Sequence, residues 1–123
     1  MAMVLLVGPD NGDRQAARSA LESAGHLVIE AATDQFLRIA GDRPVDAAVI
    51  DIKSPQEIVS LVGLMELRRR SALPIIALCS GPDANELAKL AVQAGADGAL
   101  RRPFTRDQLV RAVALSLAGS QKP

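Results

Sequence analysis

The sequence predicts an α/β fold in which five parallel strands form one open, doubly wound sheet with helices on both faces. Apolar runs alternate five times with segments whose apolar residues recur at helical spacing. The run at residues 47–50 is short and wholly apolar, which is typical of a central strand buried on both faces. The 123 residues, of which 49% are hydrophobic and 23% charged, fit one globular domain.

The first half of the chain shows two strand and helix pairs with recognisable helix ends. The strands are predicted at residues 4–7 and 27–30. Asp10 or Asn11 can cap the first helix, and Gly25 ends it in the left-handed conformation. Thr33 is expected to cap a short second helix that Gly41 closes. The side chains expected to face the core are Ala17, Ala20, Leu21 and Ala24, then Phe36, Ile39 and Ala40.

The third helix, after the strand at 47–50, has a strong start signal and an unusual apolar pattern. Ser54 is the expected N-cap, Pro55 the first helical residue and Glu57 the reciprocal member of a capping box. The apolar positions that follow go nearly all the way round the helix: Ile58, Val59, Leu61, Val62, Leu64, Met65 and Leu67. A helix on one face of a sheet cannot bury every side.

We expect Ile58, Val62 and Met65 to face the sheet, which leaves three other apolar residues outside. Val59, Leu64 and Leu67 would then form an exposed patch, and such a patch usually marks an interface with a protein. A different helix boundary could bury more of this surface.

The last part of the chain continues the alternation. The strands are predicted at residues 74–78 and 96–100. Pro82 and Asp83 begin the fourth helix, which Gly95 ends, and Thr105 and Gln108 form a capping box for the fifth. The core residues expected here are Leu87, Leu90, Ala91 and Ala94, then Leu109, Ala112, Val113 and Leu117. The domain is predicted at 1–118, with a disordered tail at 119–123.

Composition argues against several classes of partner. The 14 basic and 14 acidic side chains give zero net charge, which disfavours direct contact with nucleic acid or an anionic membrane. The apolar run near the amino terminus follows no positive segment and meets Gly8 and Pro9 too early for a signal peptide or a membrane span. The single cysteine, Cys79, fits a reducing compartment, so we expect a cytoplasmic protein.

Several residues at the predicted carboxyl ends of the strands together resemble a known family. They are Asp51 after the third strand, Pro55 behind it, the run Gly95, Ala96 and Asp97, and the run Arg101, Arg102, Pro103 and Phe104. The chain resembles the CheY-like receiver domain of bacterial two-component response regulators over nearly its whole length. The resemblance implies strand order 2-1-3-4-5 and a ligand site at the carboxyl ends of the strands. It also implies that Asp51 accepts a phosphoryl group from a histidine kinase, with Mg²⁺ held by two acids after the first strand.

Five residues of that implied site depart from the family pattern. Gly8 and Pro9 replace the metal-binding acid pair, and Asp10, the next acid, is expected in the loop or cap. The remaining departures are Cys79 for the hydroxyl that ends the fourth strand, Ala99 for the aromatic residue that reports activation, and Arg102 for the lysine before Pro103. We therefore predict a degenerate pseudo-receiver with no catalytic residue, no metal and no cofactor. It would act through a protein partner or a homodimer.

Two alternatives remain open on sequence grounds. The domain could be a working receiver, phosphorylated on Asp51 by a histidine kinase, in which Asp10 or Asp13 rescues the Mg²⁺ site. Cys79 could instead provide redox control, although a lone cytosolic cysteine is more often a small buried residue. In the degenerate domain, we expect Arg102 to form a salt bridge with Asp51.

Overall fold

The protein is described from a computed structural model, which covers residues 2–53 and 57–120. The strands are β1 Met3–Val7, β2 Leu27–Ala31, β3 Ala47–Ile52, β4 Ile75–Cys79 and β5 Gly98–Arg101. The helices are α1 Gly12–Ser23, α2 Phe36–Asp42, α3 Glu57–Arg70, α4 Ala84–Ala94 and α5 Arg106–Ser120. All strands are parallel and lie in the order β2-β1-β3-β4-β5, which confirms the predicted fold. Over the described ranges, none of the helices is both long enough and apolar enough to span a membrane.

Two apolar cores lie on opposite faces of this sheet, because alternate strand residues point to opposite sides. One face carries α2, α3 and α4; its core includes Phe36, Ile50, Leu64, Ile75 and Leu87. The other face carries α1 and α5; its core includes Leu21, Val49, Leu78, Leu109 and Val113. Because the sheet is covered on both faces, its strands are continuous apolar runs in the sequence.

The central strand β3 pairs with β1 on one side and β4 on the other. All six of its residues are buried, and it extends two residues beyond the predicted end at residue 50. Asp51 therefore lies within the strand, where it pairs with Leu78, and Ile52 pairs with Cys79. A carboxylate is thus placed at the carboxyl edge of the sheet by a strand that has no exposed residue.

Most of the predicted helix ends are confirmed. The Asn11 side chain accepts a hydrogen bond of 3.0 Å from the backbone N–H of Arg14, so Asn11 is the cap of α1. Thr105 and Gln108 form the expected reciprocal capping box, with bonds of 2.7 and 3.1 Å. Gly25 and Gly95 have φ angles of 93° and 121°, so both helices end in a conformation that favours glycine.

Other helix-end predictions were wrong or cannot be compared. Thr33 does not cap α2, because the residue before this helix is Gln35, whose side chain makes no capping bond. The helix also continues past Gly41 to Asp42. Helix α5 reaches Ser120, two residues beyond the predicted boundary at 118. The capping-box positions 54–56 and the tail residues 121–123 lie outside the described residues.

The orientation of α3 is opposite to the prediction. Leu64 and Leu67, predicted to be exposed, are 0% and 3% exposed and belong to the core beneath α3. Ile58, Val62 and Met65, predicted to face the sheet, are 70%, 59% and 55% exposed. Of the predicted interface residues, only Val59 lies outside.

The contact between α2 and α3 explains this orientation. A Cβ atom added to Gly63 would lie 2.4 Å from Cζ of Phe36, so the two helices approach each other through the glycine. Ser60, on the same face of α3, donates a hydrogen bond of 3.2 Å to the carbonyl of Asp51. The side of α3 that carries Gly63 packs inward, because the ring of Phe36 occupies the space that a larger side chain would need.

Gly63→Ala should therefore destabilise the domain by about 1–3 kcal/mol, because the added methyl group overlaps the ring of Phe36. Gly41→Ala is the matched control, since nothing lies within 4 Å of an added Cβ there. The control should stabilise the protein by about 0.5 kcal/mol through helix propensity. Urea denaturation followed by circular dichroism measures both changes, and equal effects at the two glycines would contradict the packing argument.

Candidate functional site

The candidate site lies at the carboxyl ends of the strands, where open parallel sheets bind their ligands. Gly8 follows β1, Asp51 lies near the end of β3, Cys79 ends β4 and Arg102 follows β5. The sheet order therefore brings together residues that are far apart in sequence, as the resemblance implied. A fifth residue, Asp13, reaches the same edge from the first turn of α1.

Asp51 is 5% exposed, and its Oδ1 atom has no hydrogen-bond partner. Burial raises the pKa of this carboxyl above its ordinary value, because the charged form loses its hydration. The positive charge of Arg102 opposes this rise, the negative charge of Asp13 adds to it, and Lys53 opposes it more weakly. Burial is the largest of these effects, so the surroundings of Asp51 favour its neutral form.

Gly8, which follows β1, lies directly beside Asp51. A Cβ atom added to Gly8 would lie 3.0 Å from Cβ and 3.5 Å from Oδ2 of Asp51. The first position of the family's acid pair is thus adjacent to Asp51 and has no carboxylate. The next acid along, Asp10, is 75% exposed and forms an ion pair of 3.2 Å with Arg14. Arg14 also donates a hydrogen bond of 2.9 Å to the carbonyl of Gly8.

Asp13 and Lys53 are members of the site that sequence reasoning undervalued. The Oδ2 atom of Asp13 lies 3.9 Å from Nζ of Lys53 and 4.0 Å from Nε of Arg102. The sequence predicts Asp13 only as a possible rescue ligand for Mg²⁺ and predicts no role for Lys53. Their sequence positions could have indicated this role, because Asp13 lies in the first turn of α1 and Lys53 directly follows β3.

The predicted salt bridge between Arg102 and Asp51 was wrong. The carboxylate within 4.0 Å of the Arg102 guanidinium is that of Asp13, and the group lies 4.8 Å from the centre of the Phe104 ring. A planar guanidinium stacks well on an aromatic face. Arg102 therefore acts on Asp51 through its charge and not through a direct contact. The peptide bond between Arg102 and Pro103 is cis.

Cys79 and its neighbours supply little hydrogen bonding to the site. The Cys79 side chain is fully buried, and burial, followed by the nearby charge of Asp51, raises the pKa of the thiol to about 11. The hydroxyl of Ser80 is buried without a hydrogen-bond partner. Ala99 pairs with Ala77 in the sheet and packs beside the core.

The residues at this edge do not fit a Mg²⁺ ion. Magnesium needs near-octahedral oxygen coordination, usually from carboxylates together with phosphate and water. Here the two carboxylates are Asp51 and Asp13, and the cations Lys53 and Arg102 already lie within 4.0 Å of the Asp13 carboxylate. Within residues 2–53 and 57–120, no group of three or more His, Cys, Asp or Glu side chains is placed to hold a metal.

Comparison with known proteins agrees with this fold and this arrangement of strand ends. The sequence profile of the response regulator receiver domain matches residues 4–114. The chain therefore belongs to the receiver domain family of response regulators, the class that functions in two-component signalling.

Individual relatives show the same relationship. The chain is 34% identical over 105 residues to KdpE, the Kdp operon transcriptional regulatory protein of Escherichia coli, covering 85% of this chain and 46% of KdpE. It is 30% identical over 110 residues to an NtrX-like response regulator of Rickettsia conorii, covering 87% of this chain but only 23% of that protein. The chain thus spans less than half the length of these relatives. The receiver domain of a Francisella response regulator shares the fold, with a TM-score of 0.85, 24% identity and coverage of 98% and 100%.

Asp51→Asn should stabilise the domain at neutral pH. Folding raises the pKa of Asp51 above its ordinary value of 3.8. The contribution of this group to the free energy of unfolding is therefore fully present below pH 3.8 and is lost as the pH rises through the pKa of the folded state. The amide has no charged form and avoids this loss. Thermal unfolding should therefore show a higher melting temperature for Asp51→Asn than for the wild type at pH 7. This difference should shrink as the pH is lowered towards 3.8. The exposed control Asp34→Asn should show no such profile.

Cys79 should react with thiol reagents at least about 100-fold more slowly than an exposed cysteine, because little thiolate forms and the side chain is buried. Labelling with a chromogenic disulfide at pH 8, with and without denaturant, measures this protection. A Cys79→Ala, Ser23→Cys variant supplies the exposed thiol for comparison. Equal native-state rates would revive the redox hypothesis.

Proposed function

We propose that this receiver domain transmits a signal through protein contact without phosphorylation of Asp51, and that it is neither an enzyme nor a holder of Mg²⁺. The observation that carries the proposal is the absence of a carboxylate beside Asp51, at the position of Gly8. Phosphoryl transfer depends almost entirely on positioned charges that stabilise the transferred group. Without its acid pair, the domain lacks the ligands that would fix a divalent cation there.

The electrostatics of Asp51 support the same proposal. Burial raises the pKa of Asp51, so the ionised carboxylate that would attack phosphorus is the form that burial disfavours. The two nearby cations, Lys53 and Arg102, already lie close to Asp13. A structural role for Asp51 is consistent with its burial at the end of the central strand.

A second candidate function is that of a phosphorylated receiver with an altered site. The observation in its favour is the position of Asp13, whose charge acts on Asp51 and which lies close to both cations. In that case Lys53 and Arg102 would neutralise the phosphoryl oxygens, and a histidine kinase would be the partner. Under the first proposal, the partner is a protein that recognises the surface of the domain, in a cytoplasmic setting.

The two candidates differ in their response to a phosphodonor. We expect no mass increase and no change in amide resonances around Asp51 after incubation with acetyl phosphate or beryllofluoride and Mg²⁺. Asp51→Asn should bind the partner of the domain as well as the wild type does, because no phosphoryl group is needed.

The control for this experiment is a receiver domain with an intact acid pair, treated in parallel, which must respond. A mass increase in the wild type that Asp51→Asn abolishes would overturn the proposal and establish the second candidate.

A further inference from the structure

The outer face of α3 carries a continuous apolar stripe, which we call the α3 stripe. It consists of Ile58, Val59, Val62 and Met65, which are 70%, 51%, 59% and 55% exposed. Ile58, Val62 and Met65 are spaced i, i+4 and i+7, and Arg69 continues the series at i+11. This alternation of four and three residues is the pattern by which one helix packs along another.

The α3 stripe differs from the other exposed apolar residues in the described part of the chain. Those residues are Leu27 on β2, Leu90 and Val92 on α4, and Leu115 on α5. Four large side chains within eight residues expose on the order of 400 Å² of apolar surface, comparable to the largest patch on a typical monomer. Scattered apolar residues need no explanation, but a patch of this size usually marks an interface.

The charges on α3 are arranged to suit an antiparallel copy of the same helix. Glu57 lies in the first turn and is half-buried. Arg69 and Arg70 lie in the last turn and are largely exposed, paired only along their own helix with Glu66. An antiparallel pairing sets the acidic turn of one copy beside the basic turn of the other, whereas a parallel pairing opposes like charges.

We propose that the partner of this surface is a second copy of the chain, docked antiparallel along the α3 stripe with a two-fold axis near Val62. This inference rests on the function proposed above, because it identifies the protein contact through which the domain would transmit its signal. The contact buries on the order of 1,000 Å² in total, the lower limit for a specific interface, so the dimer is weak and reversible. Zero net charge leaves no long-range repulsion between copies.

Sedimentation equilibrium from low micromolar to near millimolar concentration tests the pairing. The wild type should self-associate, and Val62→Glu should weaken association by about tenfold or more, because it opposes two carboxylates at the two-fold axis. Val92→Glu on α4 is the matched control, since Val92 is the same residue type and 53% exposed. The control should associate as the wild type does. Far-UV circular dichroism confirms folding, and Met65→Glu replaces Val62→Glu if that variant does not fold.

A mixing experiment tests the antiparallel direction. Glu57→Lys and Arg69→Glu should each weaken association alone, because each opposes like charges at both ends of the pair. An equimolar mixture should recover it, since both contacts of the mixed dimer are then complementary. A monomer at all concentrations, or a dimer unaffected by Val62→Glu and Met65→Glu, would overturn the proposal. A phosphodonor response would overturn the proposed function and leave this result unchanged.

Discussion

Burial of the central strand is the constraint on which the rest of the structure depends. β3 pairs on both sides and is covered on both faces, so all six of its residues are buried. Its one charged residue, Asp51, is carried to the carboxyl edge of the sheet with an unpaired carboxylate oxygen. A buried carboxylate without full pairing is costly. The charges of Arg102 and Lys53 reduce this cost from a distance, whereas the charge of Asp13 adds to it.

The loop after β1 shows how the domain holds this edge without the family's acid pair. Arg14 donates to the carbonyl of Gly8 and forms ion pairs with Asp10 and, at 3.1 Å, with Glu30 on β2. Arg14 and Glu30 are only 12% and 22% exposed, so this network is less screened than a surface pair. Side-chain contacts therefore hold the segment that a metal-binding receiver would organise around its cation.

Helix α3 links the interior of the domain to its outer surface. Gly63 lets α3 approach Phe36, and this approach places Leu64 and Leu67 in the core. The same rotation exposes Ile58, Val62 and Met65. One small residue on the inner face thereby determines which apolar residues form the outer stripe. Internal packing and the surface available to a partner are two consequences of a single helix orientation.

Sequence alone determined the order of elements and the capping box at Thr105, and it narrowed the cap of α1 to Asp10 or Asn11, because these depend on local periodicity and local hydrogen bonds. The strand order followed from the family resemblance. The resemblance also implied that Gly8, Cys79 and Arg102 lie at one edge of the sheet, where the structure has them. Only the tertiary structure decided the rotation of α3 and the partner of Arg102. Both depend on atoms distant in sequence: the ring of Phe36 excludes bulk at Gly63, and Asp13 and Phe104 hold the guanidinium that local reasoning assigned to Asp51.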